Sequence, residues 1–159
     1  MKRFASAFLS ILMLFSMTVA SYATEVEPDS MINLAEELTI ISGDEGIQPQ
    51  AWGGPAPQVT KIERYKIGWL TDNPTHLGII LKVTGYGHDR AYFNGVEIDS
   101  ENIGYFINYG NTADGFYYLY DCGEITSVGT YQFNVTFTSS ATPYSKLSYH
   151  DTITISPNP

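Results

Sequence analysis

Acid–base or metal chemistry in this 159-residue chain would have to draw on three histidines, His76, His88 and His150. Two are followed by an acid, as His88-Asp89 and His150-Asp151. Neighbours along a strand point to opposite faces, so neither pair makes a site by itself. A zinc centre needs three or four converging ligands. These four side chains provide them only if two separate loops meet, and their spacing fits no metal-ligand motif. Ser148 lies near His150, but a serine nucleophile needs a strained elbow such as G-x-S-x-G, or a histidine and acid placed by the fold. The chain has no such elbow. Cys122 is the sole cysteine and could pair with His88 or His150 as thiol and imidazole. Asp121 beside it disfavours the thiolate, and a free cysteine ordinarily behaves as a small packed apolar residue. No catalytic residue, metal ligand or cofactor is therefore assigned.

Glu97, Asp99 and Glu101 alternate, which places them on one face of a strand. Glycoside hydrolysis needs two carboxyls from separate elements across a cleft. A single row reads instead as a charged edge that blocks sheet-to-sheet association, or as part of a weak calcium site. Asn134-Val135-Thr136 matches an N-glycosylation acceptor, placed in mid-strand on a polar face.

Aromatic residues are more concentrated. Tyr105, Phe106, Tyr109, Phe116, Tyr117, Tyr118 and Tyr120 fall within sixteen positions. In Phe116-Tyr117-Tyr118-Leu119-Tyr120 both strand faces carry large side chains. Either Phe116, Tyr118 and Tyr120 face the core and Tyr117 and Leu119 are exposed, or the reverse. Tyrosine joins an apolar ring to a polar tip, which suits a recognition surface. Tyr105, Tyr109 and Tyr117 are accordingly the candidate ligand-binding residues. Cross-strand aromatic pairing accounts for the same residues without a ligand.

These side chains need strands to hold them, and the sequence has the required period of two. Val59–Leu70, Leu77–Thr84, Ile103–Tyr109 and Phe116–Tyr120 read as strands, and Tyr92-Phe93-Asn94-Gly95-Val96 reads as a type I′ hairpin. The clearest is Thr130–Thr138, where Tyr131, Phe133, Val135 and Phe137 alternate with polar residues. Ser148–Ser156 is the last, and the prolines after it cannot continue a ladder. About seven short strands in roughly 100 residues predict an all-β sandwich. Residues 24–58 differ: they hold Glu25, Glu27, Asp29, Glu36, Glu37, Asp44 and Glu45 and no Lys or Arg. Asp29 or Ser30 is placed to cap a short helix with Met31, Leu34, Ala35 and Leu38 on one face. A Gly/Pro-rich linker follows, ending in Gly53-Gly54-Pro55-Ala56-Pro57. This arm is a docking or pro-segment, or a solvated acidic spacer.

The run Cys122-Gly-Glu-Ile-Thr-Ser-Val-Gly129-Thr-Tyr131-Gln-Phe133-Asn-Val135 resembles the E–F corner and penultimate strand of immunoglobulin-like domains. The resemblance implies an immunoglobulin-like sandwich of about seven strands, with Tyr131 as the corner tyrosine whose hydroxyl returns to upstream backbone. It covers Val59–Ser156 as architecture and a dozen residues as motif. The chain departs from it in having no disulfide pair, and in carrying Trp69 on the first strand rather than the third. A fold resemblance implies no activity.

Composition sets the remaining expectations. The formal net charge is −9, with eight basic and seventeen acidic residues. Such a chain lacks the clustered cations that nucleic acid or an anionic membrane surface requires. Lys2 and Arg3, the uncharged stretch to Thr24 and the small-x-small Ser21-Tyr22-Ala23 read as a signal peptide over 1–23, cleaved after Ala23. With one cysteine, no internal disulfide forms, and the core alone must hold the domain at 59–159. The expectation is a secreted, non-enzymatic binding module that recognises a protein or surface polysaccharide through an aromatic face. The alternatives are a structural or adhesion accessory domain, or a small secreted hydrolase or inhibitor.

Overall fold

Alternating apolar residues build two sheets whose inner faces share one core. A computed structural model describes residues 23–26, 31–37, 56–107 and 114–156, with backbone alone at 23–26, 102–107 and 114. Among these residues the strands are β1 (Ala23–Val26), β2 (Met31–Ile32), β3 (Lys61–Leu70), β4 (His76–Thr84), β5 (Gly87–Phe93), β6 (Val96–Ile98), β7 (Ser100–Ile107), β8 (Asp114–Glu124), β9 (Gly129–Ser139) and β10 (Lys146–Ile155). The first sheet has the order β1-β10-β9-β5-β6 and the second β2-β3-β4-β8-β7. Leu77, Ile79, Leu81 and Val83 of β4 and Tyr118 and Tyr120 of β8 meet Phe133, Val135 and Phe137 of β9 and Ile153 of β10. The chain is thus an all-β, sandwich-like fold, as the strand count predicts.

Polar groups fasten the ends and one side of this sandwich. Asp151 Oδ2 accepts hydrogen bonds from Arg64 Nη1 at 2.7 Å and the Tyr149 hydroxyl at 3.0 Å, tying β3 to β10. The Asn94-Gly95 turn has φ angles of 47° and 81°, as a type I′ hairpin requires. At the other end, Gln58 Nε2 donates to the carbonyls of Ala141 (2.6 Å) and Thr142 (3.0 Å), and its Oε1 accepts from Ser145 Oγ at 2.6 Å. Gly85 makes this latch possible. Its φ is +101°, and a Cβ there would lie 2.1 Å from the Gln58 carbonyl oxygen.

The structure departs from the sequence reading in the arm and along the acidic row. Residues from the segment read as an arm supply an edge strand to each sheet: β1 pairs in parallel with β10, and β2 with β3. One helical turn follows at 34–37. Asn33 caps it, in place of Asp29 or Ser30, through Oδ1 to the Ala35 amide at 3.1 Å. Two strand residues are too few to carry a period, which is why the sequence shows β2 only as part of a helical pattern. Glu97 and Glu101 do not share a strand. Glu97 lies on β6 in the first sheet and Glu101 on β7 in the second, because the chain changes sheets at Asp99. Of the predicted leader, residues 1–23, positions 1–22 lie outside the described residues, and Ala23 opens β1.

Candidate functional site

A sandwich must bury only its inner faces, yet the second sheet is apolar on its outer face too. In β4 the outward positions include Gly78 and Ile80, and in β8 they include Tyr117 and Leu119, as the pairing of Ile80 with Leu119 requires. Ile80 has 0% of its surface exposed, and Tyr117 and Leu119 have 7% each. Residues 31–37 cover them. Ile32 packs with Ile80, Tyr117 and Leu119 in a cluster separate from the main core, flanked by Leu34 and Leu70. Tyr65 of β3 meets the Tyr117 ring edge-on at 5.0 Å.

The seat for Ile32 is shaped in detail. Gly78 has no Cβ, and one placed there would lie 2.5 Å from Leu70 Cδ2 and 3.2 Å from Ile32 Cδ1. Both the amide and the hydroxyl of Thr71 donate to the Ile32 carbonyl, at 3.0 and 2.9 Å. Burying one such isoleucine contributes about 1.5–3 kcal/mol. Glu37, 2% exposed, receives the Lys66 ammonium. A buried ion pair is near neutral against an apolar replacement, but losing one partner is costly, so Lys66 selects an acidic residue more than it adds net stability. Burial raises the Tyr117 hydroxyl pKa, and neighbouring Tyr65 and Glu63 add to the shift.

Of the three tyrosines predicted as ligand contacts, Tyr117 is the one whose side chain is described. Tyr117 is under residues 31–37. Position 105 pairs with Phe116 in the β7–β8 ladder. Tyr109 lies outside the described residues. Either-or exposure on β8 is also corrected, because both of its faces are buried. Ile32, Glu37, Tyr65, Lys66 and Ile80 complete the site and were not picked out from the sequence. A visible signal was the run Leu77–Val83, whose apolar residues do not alternate cleanly; that pattern marks a strand covered on both sides.

The other candidates are held apart. Tyr131 donates its hydroxyl to the Ser127 carbonyl at 2.5 Å, and its ring stacks on Phe93 at 5.4 Å. Asp89 accepts from the Tyr120 hydroxyl at 2.9 Å, while its neighbour His88 is exposed. His150 Nδ1 pairs with Asn134 Oδ1 at 2.5 Å on the outer face of the first sheet. His76 Nδ1 meets both carboxylate oxygens of Asp121 at 2.9 Å. Among the described residues no three His, Cys, Asp or Glu side chains are grouped to hold a metal ion. Cys122 is buried, and that burial, reinforced by Asp121, raises its thiol pKa away from the reactive range.

Buried tyrosines give the fold an alkaline limit. Burial, then the Asp89 charge, pushes Tyr118 up to about 12 from 10.0. Burial and Asp89 raise Tyr120, and burial and Asp151 raise Tyr149. Folded values above the unfolded one mean that the native state keeps protons the unfolded state releases. Stability is therefore intact below about pH 10 and is lost as pH rises through the folded values. An absorbance titration at 295 nm should show these tyrosines ionising together with unfolding rather than near pH 10.

The outer face of the first sheet is chemically different, carrying polar cross-strand pairs such as Thr136–Ser148 at 2.8 Å and Thr152–Gln132 at 3.1 Å. The apolar outer face of the second sheet is thus the better-formed candidate site. Compared with protein-family models, curated proteins and solved structures, the chain gives no match.

Proposed function

We propose that the chain is a secreted, non-enzymatic binding module of immunoglobulin-like topology, and that the outer face of its second sheet is the recognition face. Two features support the topology. The order β3-β4-β8-β7 facing β10-β9-β5-β6 follows the A-B-E-D and G-F-C-C′ order of that fold, and the Tyr131–Ser127 bond has the form of its corner. The observation that carries the function is an aromatic and aliphatic surface outside the main core, built from Ile80, Tyr117 and Leu119 and covered by a few residues of the arm. Such a surface is unnecessary for closing the sandwich, and its tyrosines offer both ring and hydroxyl to a protein segment or a polysaccharide.

The test compares the full chain with an Ile32→Asp variant on arrayed surface polysaccharides and peptides. Disengaging the arm should raise specific binding at least ten-fold, and adding Tyr65→Ala should lower it again. Absence of binding by the folded variant to every member of the array would overturn the reading.

A further inference from the structure

The seat on the second sheet recognises a particular kind of protein segment, and the chain itself carries that segment. Its features are a short parallel strand against the end of β3, an isoleucine over Gly78, an asparagine-capped helical turn and a glutamate at Lys66. Charge also favours such a donor. Residues 24–58 contain acids and no base, whereas Lys61, Lys66 and Lys82 lie on the adjacent strands β3 and β4. We propose that this seat is an exchangeable strand-binding site, in which residues 31–37 of a second copy take the place of the chain's own. The proposal rests on the reading of this face as the recognition face, and it names the partner.

Covalent geometry permits the exchange. Positions 38–57 separate Glu37 from Gln58. Twenty residues reach up to roughly 65 Å when extended, about twice the length of a ten-residue strand. The donor segment can therefore seat on its own sheet or on a neighbour's. Donor and acceptor are different surfaces, so exchange links copies head to tail, or closes a dimer when it is reciprocal. The chain's own arm competes at an effective concentration of order millimolar. Exchange is thus suppressed in dilute solution and becomes visible when the competing arm is disabled.

Complementation between two full-length variants tests this. Ile32→Asp disables the donor and leaves the seat. Gly78→Leu with Lys66→Glu fills the seat and repels Glu37 while leaving the donor; Lys66→Glu alone serves if the double variant does not keep its far-UV circular dichroism. By sedimentation velocity, each variant alone should be monomeric at micromolar concentration. The mixture should form a 1:1 complex at least ten-fold tighter than the self-association of either. A mixture that sediments as two folded monomers, or no more tightly than Ile32→Asp alone, overturns the exchange. If that same Ile32→Asp chain still binds a member of the array, the recognition face survives with a different ligand. If it binds none, both proposals fall.

Discussion

Phe133→Ala will lower the stability of this protein by about 3–5 kcal/mol, the usual cost of removing a buried aromatic ring. Phe133 has 0% of its surface exposed and sits on β9, between β5 and β10. Its ring contacts Tyr120 across the sandwich at 5.2 Å and Tyr149 at 6.4 Å. Both of those tyrosines use their hydroxyls on inward carboxylates, Asp89 and Asp151. They are therefore poorly placed to collapse into the space left behind. Small domains have total stabilities of about 5–15 kcal/mol, so the variant should be marginal at 37 °C. Urea denaturation should show the midpoint falling with little change in slope. Thr130→Ala, an exposed position on the same strand, should change stability by less than about 0.5 kcal/mol.

Gly85→Ala should cost about 3 kcal/mol or more, although it adds only a methyl group. The left-handed φ of +101° is strained for any side chain, and the new Cβ would meet backbone rather than a movable side chain. Relief requires Gln58 to withdraw. That loosens its bonds to Ala141, Thr142 and Ser145, together with the neighbouring bond from the Val59 amide to Ser139 Oγ at 2.9 Å. Unpaired buried polar groups cost about 1–3 kcal/mol each. The mechanism predicts non-additivity. With Gln58→Ala already present, Gly85→Ala should cost clearly less, because part of the latch is already gone. Thermal unfolding of the four proteins in the double-mutant cycle measures this directly.

How far the sequence revealed the fold depended on whether a residue's environment is local. Strict alternation in Thr130–Thr138 identifies β9 and its buried face, because one side of that strand is wet. The Asn94-Gly95 hairpin follows from backbone preference alone. Tyr117 and Leu119 were ambiguous because exposure on β8 is decided by a segment some eighty positions earlier in the chain. The acidic composition of that segment argues for solvation. Glu37 escapes the argument only because Lys66, on a distant strand, provides the opposite charge. Likewise, the regular spacing of Glu97, Asp99 and Glu101 gives no hint that the chain leaves one sheet for the other at Asp99. Gly85 was invisible for the same reason: its need for glycine comes from the Gln58 carbonyl, a contact between the entry to β3 and the turn after β4.

Residues 31–37 seal an apolar face that would otherwise be open. Hydroxyl-radical footprinting with mass spectrometry tests this most directly, by comparing tyrosine oxidation in the natural chain and in Ile32→Asp. Tyr117 should be protected in the natural chain as well as Tyr120 is, while Tyr144, 60% exposed, is modified readily. In Ile32→Asp, Tyr117 should become reactive while Tyr118 and Tyr120 stay protected, since they face the main core. Tyr117 as reactive as Tyr144 in the natural chain, or fully protected in the variant, would mean that residues 31–37 do not seal this face.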